Sequence, residues 1–434
     1  MRFPTVSRRR FLQCSALGGT ALVAGSGYAW TQDRVRLGLI GCGARGKQLA
    51  ATIGWTRARP TFGEITAVCD ADSARADELQ AGYCRNATTY RDYRRLLERD
   101  DLDAVVIATP DHWHAAMMLA ALRCGKSVYC EKPLSLTVAE GRLLTHAALK
   151  SPHVVQIGTQ QRSDWRFQAA CNLVRNGRLG RIHRVEVSLP IGSLPPTSFG
   201  GPFVEEAPPP TLDWNLWLGQ APEASFTKQR FDPFRWWFEY SGGFMTDWGT
   251  HHLDIVHWAL GPHCIGPTRI EPHAELPRIA NGFNTPRQFT VELTYPGEVR
   301  VRVETSASVN GIRFEGEAGS LFVSRNKIEG SAYDALDASP LPDDAVRLRN
   351  RVRPWGTANF VHMTEFLHCV RTGEQPISDV ASQHQAAAMC HATNIAMRLG
   401  RSLTWNAAAE RFDDDVEADA MLSRPQRAGF EITG

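Results

Sequence analysis

The chain has 434 residues, enough for two domains that each bury a core. Hydrophobic residues make up 43 % and charged residues 22 %, which excludes a disordered or collagen-like chain. Net charge is +2, and removing the four arginines among the first ten residues takes it to −2, so no basic surplus points to nucleic acid as a partner.

The chain opens with Ser7-Arg8-Arg9-Arg10-Phe11-Leu12, which resembles a twin-arginine signal. An apolar run over 16–24 and a small-residue exit at Gly27-Tyr28-Ala29 complete a leader, residues 1–29. The apolar run is too short to span a membrane. The expectation is export through the twin-arginine machinery to a periplasmic or similar destination. An uncleaved basic arm or a membrane anchor is the alternative.

Residues 35–40 read as a short apolar strand, followed by a glycine turn and a helix over 47–56. A second strand over 64–69 ends at Asp70, and a helix follows over 73–80. The continuous apolar run 103–108 is the type buried in a parallel sheet, and Thr109-Pro110 stops it. Helix 114–124, strand 127–130, helix 135–150 and strand 154–157 continue the alternation. Strands alternating with helices predict a doubly wound parallel sheet over 34–155.

The pattern changes after residue 158. Strands are expected over 181–189, 289–295, 299–305, 312–316 and 320–324, an open, mostly antiparallel sheet. Helices are expected over 165–176, 251–260, 359–371 and 382–399. Pro195-Pro196 and Pro208-Pro209-Pro210 mark loops. The fold class is α/β: a Rossmann-type parallel sheet, then a C-terminal α/β domain over 156–405 and a weakly patterned tail over 406–434. Ten cysteines show neither paired C-x-x-C nor zinc spacing and read as buried thiols.

Gly41-Cys42-Gly43-Ala44-Arg45-Gly46 is a G-x-G-x-x-G turn between a strand and a helix. Gly41 permits the tight turn, Gly43 lets backbone approach a pyrophosphate, and Gly46 lets helix and strand pack closely. Asp70, at the end of the second strand, is placed to bond ribose hydroxyls, which favours NAD. Arg75 keeps NADP open, and a helix cap is the other role for Asp70.

Gly41–Gly46, Thr109-Pro110 with His114, Gly125-Lys126 and Glu131-Lys132-Pro133 together resemble the Gfo/Idh/MocA oxidoreductase family. The stretch from Gly242 to Asp254, with Asp247 and His251 four apart, is similar to that family's second signature. The resemblance covers about residues 34–405. It implies sugar or polyol chemistry on a nicotinamide cofactor, and a homo-oligomer, dimer or tetramer. It implies Lys132, Asp247 and His251 as the catalytic group: the lysine polarising the reacting C–O bond or sharing in proton transfer, the histidine taking the hydroxyl proton, and the aspartate orienting the substrate or the imidazole. It places Arg45, Thr109, Pro110, His114, Glu131, Lys132 and Gln161 with the turn glycines and Asp70 at the cofactor. Arg162, Trp236 and Trp237 are assigned to the substrate, with the core as the alternative for both tryptophans. Trp214 and Trp217 are expected between the domains, and His112 is read as exposed or structural. His251, His252, Asp254 and His257 could be mistaken for metal ligands, but the resemblance accounts for them without a metal and they lack H-E-x-x-H spacing.

The leading expectation is an exported sugar or polyol oxidoreductase whose cofactor stays bound, because little free NAD exists outside the cytoplasm. Redox-neutral, NAD-dependent glycoside cleavage is one alternative, and a non-catalytic dinucleotide-binding protein is another.

Overall fold

The computed structural model describes residues 34–54, 63–191, 200–352 and 356–433. The expected leader 1–29, the last two residues of the expected 47–56 helix and the expected loop at Pro195-Pro196 lie outside the described residues. No helix among the described residues is long and apolar enough to cross a membrane.

Six strands form the first sheet: β1 (Val35–Ile40), β2 (Gly63–Cys69), β3 (Thr88–Tyr90), β4 (Ala104–Ile107), β5 (Ser127–Glu131) and β6 (Val155–Gly158). Their order is β3-β2-β1-β4-β5-β6, and every pairing is parallel. Such a sheet is covered on both faces, which is why Ala104–Ile107 is buried throughout rather than alternating. The order reverses beside β1, where the C-terminal strand ends leave a crevice.

One side of this sheet takes its cover from far down the chain. Met363, Phe366 and Leu367, on the helix Ala358–Thr372, pack with Leu37, Leu39, Val68 and Val106 in one apolar cluster. The first sheet therefore draws on a helix some two hundred residues beyond its last strand, and its own last strand runs to Gly158.

The second sheet has nine strands: β7 (Ile182–Pro190), β8 (Arg269–Ala274), β9 (Phe289–Tyr295), β10 (Val299–Ser306), β11 (Gly311–Gly316), β12 (Gly319–Val323), β13 (Ile328–Glu329), β14 (Leu403–Asn406) and β15 (Arg411–Phe412). They run in the order β13-β12-β11-β7-β10-β9-β8-β14-β15. Only β7 and β10 pair in parallel. Period-2 alternation sorts the two faces. Val185, Val187, Val301 and Val303 go to the core. Arg302 ion-pairs with Glu292 at 2.8 Å and with Glu304 at 3.2 Å, while Arg184 meets Glu186 at 3.0 Å.

The helix Gly243–Leu260 begins eight residues before the expected start at 251. Its glycine-led opening conceals the helix from propensity, but packing demands it. Gly243 has φ 63°, and a Cβ there would stand 2.8 Å from the Thr285 Cβ. The tail is also more ordered than its pattern suggests. β15 pairs with β14, Arg427 Nε donates to the Gly219 carbonyl at 2.8 Å, and Phe430 packs edge-on against Trp113.

Burial of imidazoles is a recurrent feature. Desolvation pushes His112 down to about 3 and His252, His257, His362 and His391 down to about 4. The unfolded chain takes up protons near the ordinary 6.5, while the folded chain resists until much lower pH. These groups thus leave stability intact above pH 6.5 and remove it as pH falls toward about 4. Urea melts across that window are expected to show a continuous fall in unfolding free energy; a flat profile would contradict the burial of these rings. Leu367→Ala is expected to cost about 2–5 kcal/mol, read by the same melts, because it opens a cavity against the first sheet.

Candidate active site

The crevice beside β1 opens into a single cleft with a cavity volume of about 520 Å³. Its lining includes Gly41, Gly43, Arg45, Asp70, Thr109, Pro110, Glu131, Lys132, Asp247 and His251. Ten of the residues singled out in the sequence thus meet around one space.

The glycine turn is shaped by contact. Gly41 has φ 97°, and a Cβ there would lie 2.5 Å from Ala108 backbone. At Gly46 a Cβ would meet the Gly41 carbonyl oxygen at 2.0 Å. Around Gly43 a Cβ would find only Arg75, at 3.4 Å, so the cleft floor there is bare backbone at a helix start. Asp70 accepts from Cys42 N at 2.7 Å and from Asp72 N at 2.9 Å. Each carboxylate oxygen keeps a further lone pair for a ligand hydroxyl. Burial raises the Asp70 carboxyl above its usual range, opposed by these two amides. The helix cap is Asp72, which accepts from Ala74 N at 3.1 Å, so Asp70 does not serve that role. Arg75 lies over Phe231 and 3.5 Å from Asp232.

Lys132 sits just beyond β5 and Asp247 on the helix Gly243–Leu260. The Lys132 ammonium donates to the Asp247 carboxylate, and to the Asp247 carbonyl at 3.2 Å. Burial works against charge on Asp247, but Lys132, Arg235 and Arg325 together hold its carboxyl below the usual range. His251 lies one turn further along the same helix. Burial, then Arg325 and Lys132, press its imidazole well below 6.5, so it is neutral at ordinary pH. Its Nδ1 has no hydrogen-bond partner among the described residues. Glu131 accepts from Arg45 Nε at 2.8 Å and Gln160 Nε2 at 2.9 Å, which ties the glycine-turn helix to the end of β5.

Other expected residues stand behind this surface. His114 is buried, with Nδ1 2.6 Å from the Pro133 carbonyl and Nε2 3.1 Å from the Thr109 carbonyl; it braces the two turns that carry Lys132 and Pro110. Gln161 does not line the cleft. Its amide donates to the His251 carbonyl at 3.1 Å and accepts from Arg325 Nε at 3.1 Å, and its neighbour Gln160 lines the cavity instead. His112 is fully buried against the Trp217 carbonyl. Trp214 stacks on Trp217, which reaches the cleft wall.

Three substrate assignments are corrected. Arg162 is buried and paired with Asp254, its Nε 2.9 Å from the carboxylate, while Nη1 donates to the Ile377 carbonyl at 2.8 Å. Trp236 packs on Phe244 with ring centroids 4.4 Å apart, and Trp237 packs on Phe203 and Phe283. Both tryptophans are core residues because the turn at 234–236 points Phe234 and Arg235, not Trp236, at the cavity. Cleft residues left without a role by the sequence include Arg235, Trp248, Arg325 and Asp111, and Gln160, passed over for Gln161. Arg235 stood beside the two tryptophans that drew attention. Arg325, in a polar turn after β12, carries no local signal.

The apparent metal cluster disperses. His252 Nε2 lies 2.7 Å from Asn310 Oδ1, His257 Nε2 lies 2.9 Å from the Tyr295 hydroxyl, and Asp254 holds Arg162. Among the described residues no group of three or more ligating side chains is placed to hold a metal ion.

Residues 35–159 match the model of an oxidoreductase family described as an NAD-binding Rossmann fold, and residues 167–432 match the same family's C-terminal alpha/beta domain. The chain belongs to the Gfo/Idh/MocA oxidoreductase family. It is 26 % identical over 340 residues to inositol 2-dehydrogenase 2 of Saccharopolyspora erythraea, covering 75 % of this chain and 85 % of that one. It is 32 % identical over 152 residues to an inositol 2-dehydrogenase of Salmonella paratyphi B, covering 34 % of this chain and 43 % of that one. The chain thus spans less than half the length of that second relative. Its fold is similar to the WlbA dehydrogenase of Chromobacterium violaceum in complex with NADH and UDP-GlcNAcA, with TM-score 0.66 and 17 % identity over 87 % of this chain and 97 % of that one.

Arg162→Ala strands a buried carboxylate and is expected to lower the unfolding free energy by about 3–5 kcal/mol in denaturant melts. A substrate-binding arginine would instead raise KM and leave the melt unchanged.

Proposed function

We propose that the chain is an exported NAD-dependent oxidoreductase acting on a CH–OH group of a sugar or polyol, with its cofactor retained through turnover. The observation that carries this reading is the meeting of Lys132, Asp247 and His251 in the same cleft as the glycine turn and Asp70. The bare backbone at Gly43 and the open lone pairs of Asp70 fit a pyrophosphate and a ribose. Bound there, NAD supplies the acceptor and donor of hydride.

The residues divide the remaining work. An ammonium has three donors, and Lys132 commits two to Asp247, leaving one for a substrate oxygen. That contact polarises the C–O bond and favours loss of its proton. His251 is neutral at ordinary pH, so it can accept the hydroxyl proton. Asp247 stays ionised among three cations and holds the lysine in place. Trp248 lies beside His251, its ring centroid 6.0 Å from the imidazole, and offers an apolar face to a sugar ring. The inositol dehydrogenases among the relatives act on a polyol, which supports the substrate class. Export rests on the twin-arginine-like leader. Retention follows from export, since an enzyme releasing NADH outside the cytoplasm would stall; a closed cycle that returns hydride to a second carbohydrate avoids this.

Native mass spectrometry of protein purified from the periplasm is expected to find one NAD(H) per chain and to report the oligomer. A panel of sugars, polyols and lactones is expected to change the near-ultraviolet absorbance of the bound nicotinamide. Retained cofactor that responds to none of them would refute the proposal. Lys132→Ala and His251→Asn are each expected to lower kcat by about 10²–10⁴-fold with cofactor retained.

A further inference from the structure

The cleft is unevenly charged around Asp247. Lys132, Arg235 and Arg325 all reach this region, from three separate elements, and Asp247 is the carboxylate they share. Lys132 already satisfies it by hydrogen bonding. Arg235 Nε stands 3.7 Å away, beyond hydrogen-bond length. Arg325 donates through Nε to Gln161 and lies over the Trp248 ring at 4.3 Å; among the described residues neither of its terminal nitrogens is hydrogen-bonded. The other acids nearby are engaged. Glu131 is taken by Arg45, Asp164 pairs with Arg166 at 3.3 Å and caps the helix that follows it, and Asp111 accepts from the Ser241 hydroxyl, its carboxyl raised by burial.

Both guanidiniums stand open at the cleft, Arg325 exposed and the Arg235 side chain 39 % accessible, so an incoming anion can reach them. A planar fork with free terminal nitrogens matches a carboxylate or a phosphate. The cofactor's own phosphates have a separate place at the glycine turn. Sequence position gives no hint of this pair, since Arg235 and Arg325 are ninety residues apart.

We propose that Arg235 and Arg325 form an anion subsite beside the Lys132–Asp247–His251 group, and that the substrate is a sugar carrying a carboxylate or phosphate. This rests on the carbohydrate oxidoreductase reading above. Trp248 serves the subsite twice: its ring carries the Arg325 guanidinium and lies against His251, so the anion-binding group and the proton acceptor share one support. Gln161 fixes the same arginine and bonds the His251 carbonyl, a positioning role that explains why it is turned from the cavity.

The test uses the full chain with its retained cofactor. Glucose, glucuronate and glucose 6-phosphate are compared by calorimetric titration and by turnover. At least one charged sugar is expected to bind roughly 10-fold or more tightly than glucose, with the gap shrinking as salt rises. Arg325→Gln and Arg235→Gln are each expected to narrow that gap, and Arg325→Lys to restore part of it. Whether the uronate or the phosphate shows the salt-sensitive gap identifies the anion. Glucose binding as tightly as both charged sugars would overturn the subsite, as would a gap unchanged in both glutamine variants. If a variant does not fold, the wild-type salt series alone decides. Arginine-dependent binding of a charged sugar that never alters the nicotinamide absorbance would refute the oxidoreductase reading and leave the subsite standing.

Discussion

The arrangement depends on a buried ion pair set behind the cleft lining. Arg162 leaves the end of the first sheet and meets Asp254, on the helix that carries Asp247 and His251. The same guanidinium bonds the Ile377 carbonyl and Ser382, and Asp254 also accepts from Gln383 at 2.8 Å. One interaction thus joins the last parallel strand, the helix Gly243–Leu260 and the start of the helix Val380–Leu399. Lys132 belongs to the first sheet and Asp247 to the second half of the chain, so their contact exists only while those parts stay in register. A buried pair adds little net stability over apolar packing, but it tolerates few alternative geometries. Here that restriction serves the cleft.

A second layer of support has the same character. His114 braces the Thr109 and Pro133 turns, Glu131 gathers Arg45, Tyr129 and Gln160, and Gln161 links Arg325 to the His251 backbone. Each holds a turn at the mouth of a strand, where the backbone would otherwise be free to shift. The tail adds to this: Phe430 packs on Trp113, a cleft-lining residue, so the last residues of the chain help to hold the wall beside the glycine turn.

Electrostatics separates Asp247 from His251. Asp247 and His251 share a helix face and a low-dielectric setting, but the surrounding cations act on them in opposite directions. They stabilise the carboxylate and penalise the imidazolium, so the acid stays charged and the base stays neutral. A cleft built this way keeps an anionic carboxylate and an uncharged imidazole side by side.

Much of this was legible in the chain. Strands over 35–40 and 289–295 match their expected bounds, because continuous apolar runs and period-2 runs each have one stable solution. The glycine turn, Asp70 and the Asp247/His251 pair were singled out because close backbone approach, a strand-end acid and an i, i+4 spacing leave marks in sequence, and Lys132 through the family resemblance; the fold brings them to one cleft. What spacing could not decide was the direction of side chains in irregular turns. Gln160 rather than Gln161, and Arg235 rather than Trp236 and Trp237, face the cavity because one residue of phase in a 3₁₀ turn swaps cleft for core. Arg162 became an anchor and Arg325 a cleft residue only when distant segments came together. Local pattern determined the elements and the chemistry they carry; the packing of segments remote in sequence decided which polar groups were left facing the ligand, because burial and charge neutralisation are properties of the assembled interior and not of any short stretch of chain.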